Sequence, residues 1–185
     1  FQRPRSFIPV YDLDISNYAK KLANNAINSG WISANGQYVN EFENCFSQIF
    51  NGFNACATTN GTTALDLALK ACGVNENSTV IVPSFTYIAT INAIKYQNAT
   101  PLFVDINKDN WQIDLEILEK IDSKKAQFIL IPHIYCASCD MDKLGQIIKK
   151  KKWVLIEDCA EALGSYFGKK RPVSYTHLTL PTNGT

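Results

Sequence analysis

The chain has 185 residues, 46% of them hydrophobic, with 18 basic against 17 acidic side chains and a formal net charge of +1. That composition can bury one sizeable core and argues against disorder, and the even charge balance gives no electrostatic footprint for nucleic acid. No stretch approaches the roughly 18 apolar residues of a membrane-spanning helix and no secretory signal opens the sequence, so the expected compartment is the cytoplasm.

Between Asp14 and Asn28 the apolar residues Ile15, Tyr18, Ala19, Leu22 and Ala26 recur at intervals of three and four, the period of a one-sided helix, and Asn28-Ser29-Gly30 stops it. A second helix is predicted from Gly36 to about Phe50, with Tyr38, Val39, Phe42, Cys45, Phe46 and Ile49 on one face and Gly52 at its end. Asn60-Gly61-Thr62-Thr63 then turns directly into a helix carrying Ala64, Leu65, Leu67, Ala68 and Leu69, closed by Gly73. Thr79 to Pro83 reads as a buried strand, Thr86 to Tyr96 as a helix, and Thr100 to Val104 as a strand with Asp105 at its end.

The pattern repeats with a helix from Leu115 to Ile121 and a strand from Phe128 to Ile131. A helix from Met141 to Lys150 and a strand from Trp153 to Ile156 follow, the last running into Glu157-Asp158. The Lys149 to Lys152 run reads as a solvated helix end. Short, wholly apolar strands alternating with helices imply an α/β fold, a three-layer mostly parallel sheet flanked by helices on both faces.

In such sheets ligands collect at strand carboxyl ends and helix N-termini. Gly61, Thr62 and Thr63 open a helix with backbone N–H groups, a partial positive charge and hydroxyls, which suits a phosphate dianion; Asn and Thr also serve simply as helix caps. Tyr87, just after a buried strand, can present its ring to a flat heterocycle or pack into the core. Asp158 follows an apolar run, where an unpaired carboxylate is costly; a protonated pyridine nitrogen would satisfy it, and so would a helix-capping role. Glu161 reaches the same ligand if Asp158 opens a helical turn, and otherwise reads as a capping-box glutamate.

Six cysteines at irregular spacing point to reduced thiols rather than a disulfide framework. Cys136 and Cys139 form a C-x-x-C with His133 nearby, but no second pair completes four ligands, and no metal is expected. Dinucleotide and P-loop glycine motifs and a serine-histidine-acid arrangement are all lacking from the sequence.

Taken in order, several segments resemble the DegT/DnrJ/EryC1/StrS family of sugar aminotransferases, which are fold type I enzymes dependent on pyridoxal 5'-phosphate (PLP). They are Gly30-Trp31-Ile32-Ser33 with Phe42-Glu43, the NGTTALDLAL stretch from Asn60 to Leu69, and VIVPSFTYIATINAIKYQNATPLFVDI from Val80 to Ile106. HIYCASCDMD from His133 and IEDCAEALGS from Ile156 complete the series. The wording leans toward the perosamine synthase group, which aminates C4 of a GDP-linked 4-keto-6-deoxy sugar with glutamate as donor. The resemblance implies PLP as cofactor, a nucleotide-linked keto sugar and glutamate as substrates, and a homodimer. It places Gly61, Thr62 and Thr63 at the cofactor phosphate, Tyr87 on its ring, Asp158 at the pyridine nitrogen and Glu161 beside the phenolic oxygen.

Where the resemblance implies a Schiff-base lysine, beyond Arg171, the chain instead reads PVSYTHLTLPTNGT from Pro172 to Thr185. Residues 1–171 are therefore expected to be a partial large domain, without the family's C-terminal domain, and 172–185 an adapter- or vector-like tail. The chain by itself is then expected to be inactive. A PLP-dependent nucleotide-sugar dehydratase, with histidine in place of that lysine, and a non-catalytic PLP-binding regulatory domain are the alternative readings.

Overall fold

The computed structural model describes residues 14–50 and 53–166; the Pro172–Thr185 segment lies outside them. The chain divides into two compact units, 1–55 and 56–185. No helix among the described residues is long and apolar enough to cross a membrane.

The first unit holds two helices, α1 (Asn17–Ser29) and α2 (Gln37–Ile49). Ser16 caps α1 by accepting the Ala19 N–H at 3.1 Å, and Gly30 ends it in the left-handed region at φ 73°, a conformation that glycine adopts without a Cβ clash. The apolar stripe expected on α2 is present as a ladder of rings, Phe42 to Phe46 at 4.6 Å between centroids and Phe46 to Phe50 at 5.9 Å.

The second unit contains α3 (Gly61–Ala71), β1 (Thr79–Pro83), α4 (Ile88–Tyr96), β2 (Thr100–Val104), α5 (Leu115–Lys120), β3 (Phe128–Pro132), α6 (Met141–Lys151) and β4 (Val154–Asp158). The four strands form one parallel sheet in the order β2-β1-β3-β4. Pro83 and Pro132, which lack an N–H, occupy the last positions of the two inner strands, where the ladder stops and the loops begin.

Strand alternation sorts the core into two layers. Val80, Val82, Phe128, Leu130 and Ile156 face α3 and α4, where they pack with Leu65, Leu69 and Ile94. Ile81, Ile129, Ile131 and Leu155 face α5 and α6 and meet Leu118, Met141 and Leu144. Each of these fully buried side chains contributes about 1.5–3 kcal/mol of transfer free energy, which holds three layers together. The same alternation sends the neighbours Glu157 and Asp158 to opposite faces of β4.

A Schellman motif closes α3: the Gly73 N–H donates to the Lys70 carbonyl at 2.9 Å and the Val74 N–H to the Leu69 carbonyl at 3.0 Å, with Gly73 at φ 85°. Replacing Gly73 by Ala adds a Cβ in a left-handed conformation and is expected to cost about 1–2 kcal/mol, checked by urea unfolding; Gly73→Asn should cost less. Two 3-10 turns, Ser123–Lys125 and Ile134–Cys136, were not expected from the sequence. The helix predicted from Thr86 begins at Ile88, because Thr86 precedes the turn and Tyr87 is the extended N-cap, at φ −67° and ψ 143°.

Candidate functional site

The chain leaves β1 for β2 on one side and later places β3 on the other, so the strand order switches between β1 and β3. Crevices open at the carboxyl edge beside such a switch. The loops after β1 and β3 and the turn after β4 all lie along that edge. Helices α3 and α4 run opposite to the strands, which brings both of their N-termini to the same edge. For α3 the connection fixes this direction, since its C-terminus leads through Gly73–Ser78 into the start of β1.

Asp158, 7% exposed, ends β4 on the α3/α4 face. Its Oδ2 accepts the hydroxyl of Thr90 at 3.1 Å and its Oδ1 the N–H of Ala160 at 3.2 Å. Its backbone carbonyl accepts the His133 N–H at 3.0 Å. Thr90 in turn lies 3.0 Å from the Thr86 hydroxyl. The carboxylate is thus held in a buried setting by the Thr90 hydroxyl and the Ala160 N–H. The sequence points to His133 only as a neighbour of the C-x-x-C and to Thr86 and Thr90 not at all; their roles here depend on partners up to 68 residues away, which periodicity does not report.

Tyr87 sits one helical turn before Thr90 and is 71% exposed, so its ring is not a core side chain. Both it and the nearby Phe85–Trp111 pair, in edge-to-face contact at 5.4 Å, stand at the carboxyl edge. A flat heterocycle at Asp158 would therefore have an aromatic ring within one turn of its anchor.

Asn60 caps α3, its Oδ1 accepting the Thr63 N–H at 2.9 Å and the Thr63 hydroxyl at 3.1 Å. This corrects the expectation that all three opening residues offer free N–H groups: the Thr63 amide is occupied by the cap. The Gly61 and Thr62 N–H groups remain, two of the four helical donors that have no partner within the helix, directed toward the sheet edge where an anion would meet the positive end of the dipole. α3 contacts β4, so this cradle and Asp158 share one face of the sheet.

Glu161 does not take the capping-box role. Asp158 ends a strand and 159–161 form a turn, so no helix exists for Glu161 to cap. Its Oε2 accepts the Tyr135 N–H at 2.8 Å instead. Tyr135 and Cys136 lie at φ 55° and 59°, the left-handed region that non-glycine residues rarely adopt, and Glu161 pins that strained turn beside the site.

On the opposite face of β4, His133, Glu157 and Cys159 are buried with ligand atoms within 4.8 Å of one another, and His133 Nε2 stands 3.6 Å from Glu157 Oε1. The group offers three ligand atoms, whereas a closed zinc site takes four. The C-x-x-C pair is split, Cys136 exposed and Cys139 buried. Burial, and second the Glu157 charge, push the Cys139 thiol up from 9.0 to about 12 and the Cys159 thiol well above its ordinary value. A redox C-x-x-C requires the opposite shift, toward a thiolate at neutral pH.

With a thiol reagent at about pH 8, the exposed Cys45, Cys56 and Cys136 are expected to react fast and Cys139 and Cys159 only after denaturation, followed by reagent absorbance with and without denaturant. Because the fold favours their neutral form, the stability these two thiols contribute is complete below about pH 9. It falls as pH rises through the raised values, by about 1.4 kcal/mol per pH unit for each thiol that ionises only on unfolding.

The DegT/DnrJ/EryC1/StrS aminotransferase family model matches residues 14–179. The chain is 43% identical over 164 residues to GDP-perosamine synthase of Escherichia coli O157:H7, covering 88% of the chain and 45% of that protein. It is 37% identical to GDP-perosamine synthase of Vibrio cholerae over 89% of the chain and 45% of that protein. The PLP form of Spr1654 from Streptococcus pneumoniae, assigned as a sugar aminotransferase, superimposes with a TM-score of 0.87 at 29% identity, over 93% of the chain and 47% of that structure. The chain spans somewhat under half the length of these relatives. By sequence and by fold, the chain belongs to the DegT/DnrJ/EryC1/StrS aminotransferase family.

Proposed function

We propose that the protein to which this chain belongs transfers the amino group of glutamate to C4 of a GDP-linked 4-keto-6-deoxy sugar, using PLP and acting as a homodimer. The observation that carries this reading is Asp158: a buried carboxylate at a strand end, each oxygen already held by one donor, with an exposed tyrosine one turn from its anchor and a helix N-terminus on the same face. Two relatives named GDP-perosamine synthase, at 37% and 43% identity, support the sugar and the nucleotide.

PLP, when bound, supplies an electron-withdrawing ring for the bond changes at the amino-bearing carbon. Asp158 holds a proton on the pyridine nitrogen by charge pairing in a low-dielectric setting. Tyr87 covers one ring face, and the Gly61 and Thr62 N–H groups, with the Thr62 hydroxyl, hold the phosphate. Glu161, which holds the turn at Tyr135 and Cys136, would stand beside the cofactor's phenolic oxygen.

The test uses the intact open reading frame containing this chain. Its absorbance is recorded with PLP, then after glutamate, then after GDP-, dTDP- and UDP-linked 4-keto sugars. Loss of the visible band on adding glutamate and its return with the GDP-linked sugar is the expected result. A bound cofactor whose spectrum never responds to glutamate would overturn the reading.

A further inference from the structure

Thr90 stands fully buried in the first turn of α4, followed one turn later by the core residues Ala93 and Ile94. Valine has the same shape and a greater preference for such a place, and a buried hydroxyl is a cost unless it is bonded. The Thr90 hydroxyl meets Oδ2 of Asp158 at 3.1 Å and the Thr86 hydroxyl at 3.0 Å. An ionised carboxylate only accepts, so the single Thr90 proton goes to Asp158 and Thr86 must donate to Thr90. The direction of this two-link chain is therefore set.

We propose that Thr90, supported by Thr86, is a positioning residue: the hydroxyl relay Thr86 to Thr90 to Asp158 aims the carboxylate plane at the pyridine nitrogen. This rests on the reading of Asp158 as the partner of that nitrogen. With Oδ1 held by the Ala160 N–H and Oδ2 by Thr90, rotation of the carboxylate about its last torsion is blocked from both sides. Thr86 and Tyr87 are consecutive, so the segment that presents a ring to the cofactor also supplies the first donor of the relay. One short loop after β1 then sets both the stacking ring and the direction of the charge.

The experiment measures the PLP dissociation constant, by absorbance and tyrosine-fluorescence titration, on the intact reading frame and its Thr90→Val, Thr90→Ser, Thr86→Val and Asp158→Asn variants, with a thermal melt of each. Thr90→Val keeps the volume and loses the donor, and is expected to weaken PLP binding roughly ten-fold, the scale of one hydrogen bond to a charged group, with little change in melting temperature. Thr90→Ser keeps the donor and should bind close to the native value while melting lower. Thr86→Val should fall between, and combining Thr90→Val with Asp158→Asn should add nothing to the Asp158→Asn loss.

The reverse order, Ser weak and Val native-like, would assign Thr90 to packing and overturn the proposal. If Thr90→Val does not fold, native-like binding by Thr86→Val overturns it. Should Asp158→Asn itself bind PLP as tightly as the native protein, the reading of Asp158 fails first; an Asp158→Asn loss beside a native-like Thr90→Val removes the relay alone.

Discussion

Asp158→Asn is expected to lower transamination by the intact protein about 10²- to 10³-fold while leaving its melting temperature unchanged or slightly raised, the scale seen when one preorganised electrostatic partner is removed from an active site. The two effects separate because the hydrogen-bond geometry tolerates the amide. The Asn carbonyl can still accept the Ala160 N–H, and its NH2 can donate to Thr90, whose hydroxyl then turns toward Thr86. The backbone bond from His133 to residue 158 does not involve the side chain. Both hydrogen bonds therefore survive in the amide, so stability changes little. On the proposed reading of Asp158, what is lost is the anion that would keep a proton on the pyridine nitrogen. Rates with glutamate and the keto sugar, set beside a calorimetric melt, check both halves; a parallel fall in rate and melting temperature would mean that Asp158 is a structural cap.

Much of the scaffold that positions Asp158 was legible in the sequence. The strands Thr79–Pro83 and Thr100–Val104 were read with their observed limits, because each is a short β-branched or apolar run bounded by a proline or an aspartate. The ends of α1 and α3 followed from Gly30 and Gly73, which the chain needs in left-handed conformations. α4 was read two residues too long, since Tyr87 makes no side-chain cap bond and its sequence carries no stop signal. The α/β class followed from alternation alone, and the parallel order β2-β1-β3-β4 placed the expected residues at one sheet edge.

The bonds that give the site its orientation were not legible. Thr90 to Asp158 spans 68 residues and Tyr135 to Glu161 spans 26. A helix pattern reports which face Thr90 occupies but not which carboxylate waits there. For the same reason the sequence offers Glu161 only two roles, a place beside the ligand of Asp158 or a local cap, whereas the fold also brings it the N–H of a strained turn from another loop. At Asn60 the cap was local and the reading anticipated it; its consequence, the loss of the Thr63 amide as an anion donor, needed the geometry.

The second large effect is expected on the other face of β4. His133 and Glu157 are both fully buried and 3.6 Å apart, and neither ring nitrogen of His133 nor either carboxyl oxygen of Glu157 has a hydrogen-bond partner among the described residues. Each of these buried polar groups has the other as its polar neighbour, and losing one leaves the other desolvated beside apolar side chains. Glu157→Leu alone leaves the imidazole buried without its partner, and His133→Leu alone strands a carboxylate. Each is expected to cost about 3–5 kcal/mol, a drop of roughly 10 °C in melting temperature. The double variant His133→Leu/Glu157→Leu removes both penalties and fills the space with apolar volume against Ile131 and Leu155, so it should recover to within about 1 kcal/mol of the native protein or exceed it. A double variant as unstable as the sum of the singles would mean that each side chain has its own unseen partner. Because the His133 N–H still holds the Asp158 carbonyl and the Asp158 side chain lies on the opposite face, the recovered double variant should bind PLP like the native protein. The alternation of β4 thus separates two neighbouring acids by face: Glu157 stands beside His133 in the core, and Asp158 meets Thr90 on the α3/α4 side, where the proposed function puts the cofactor.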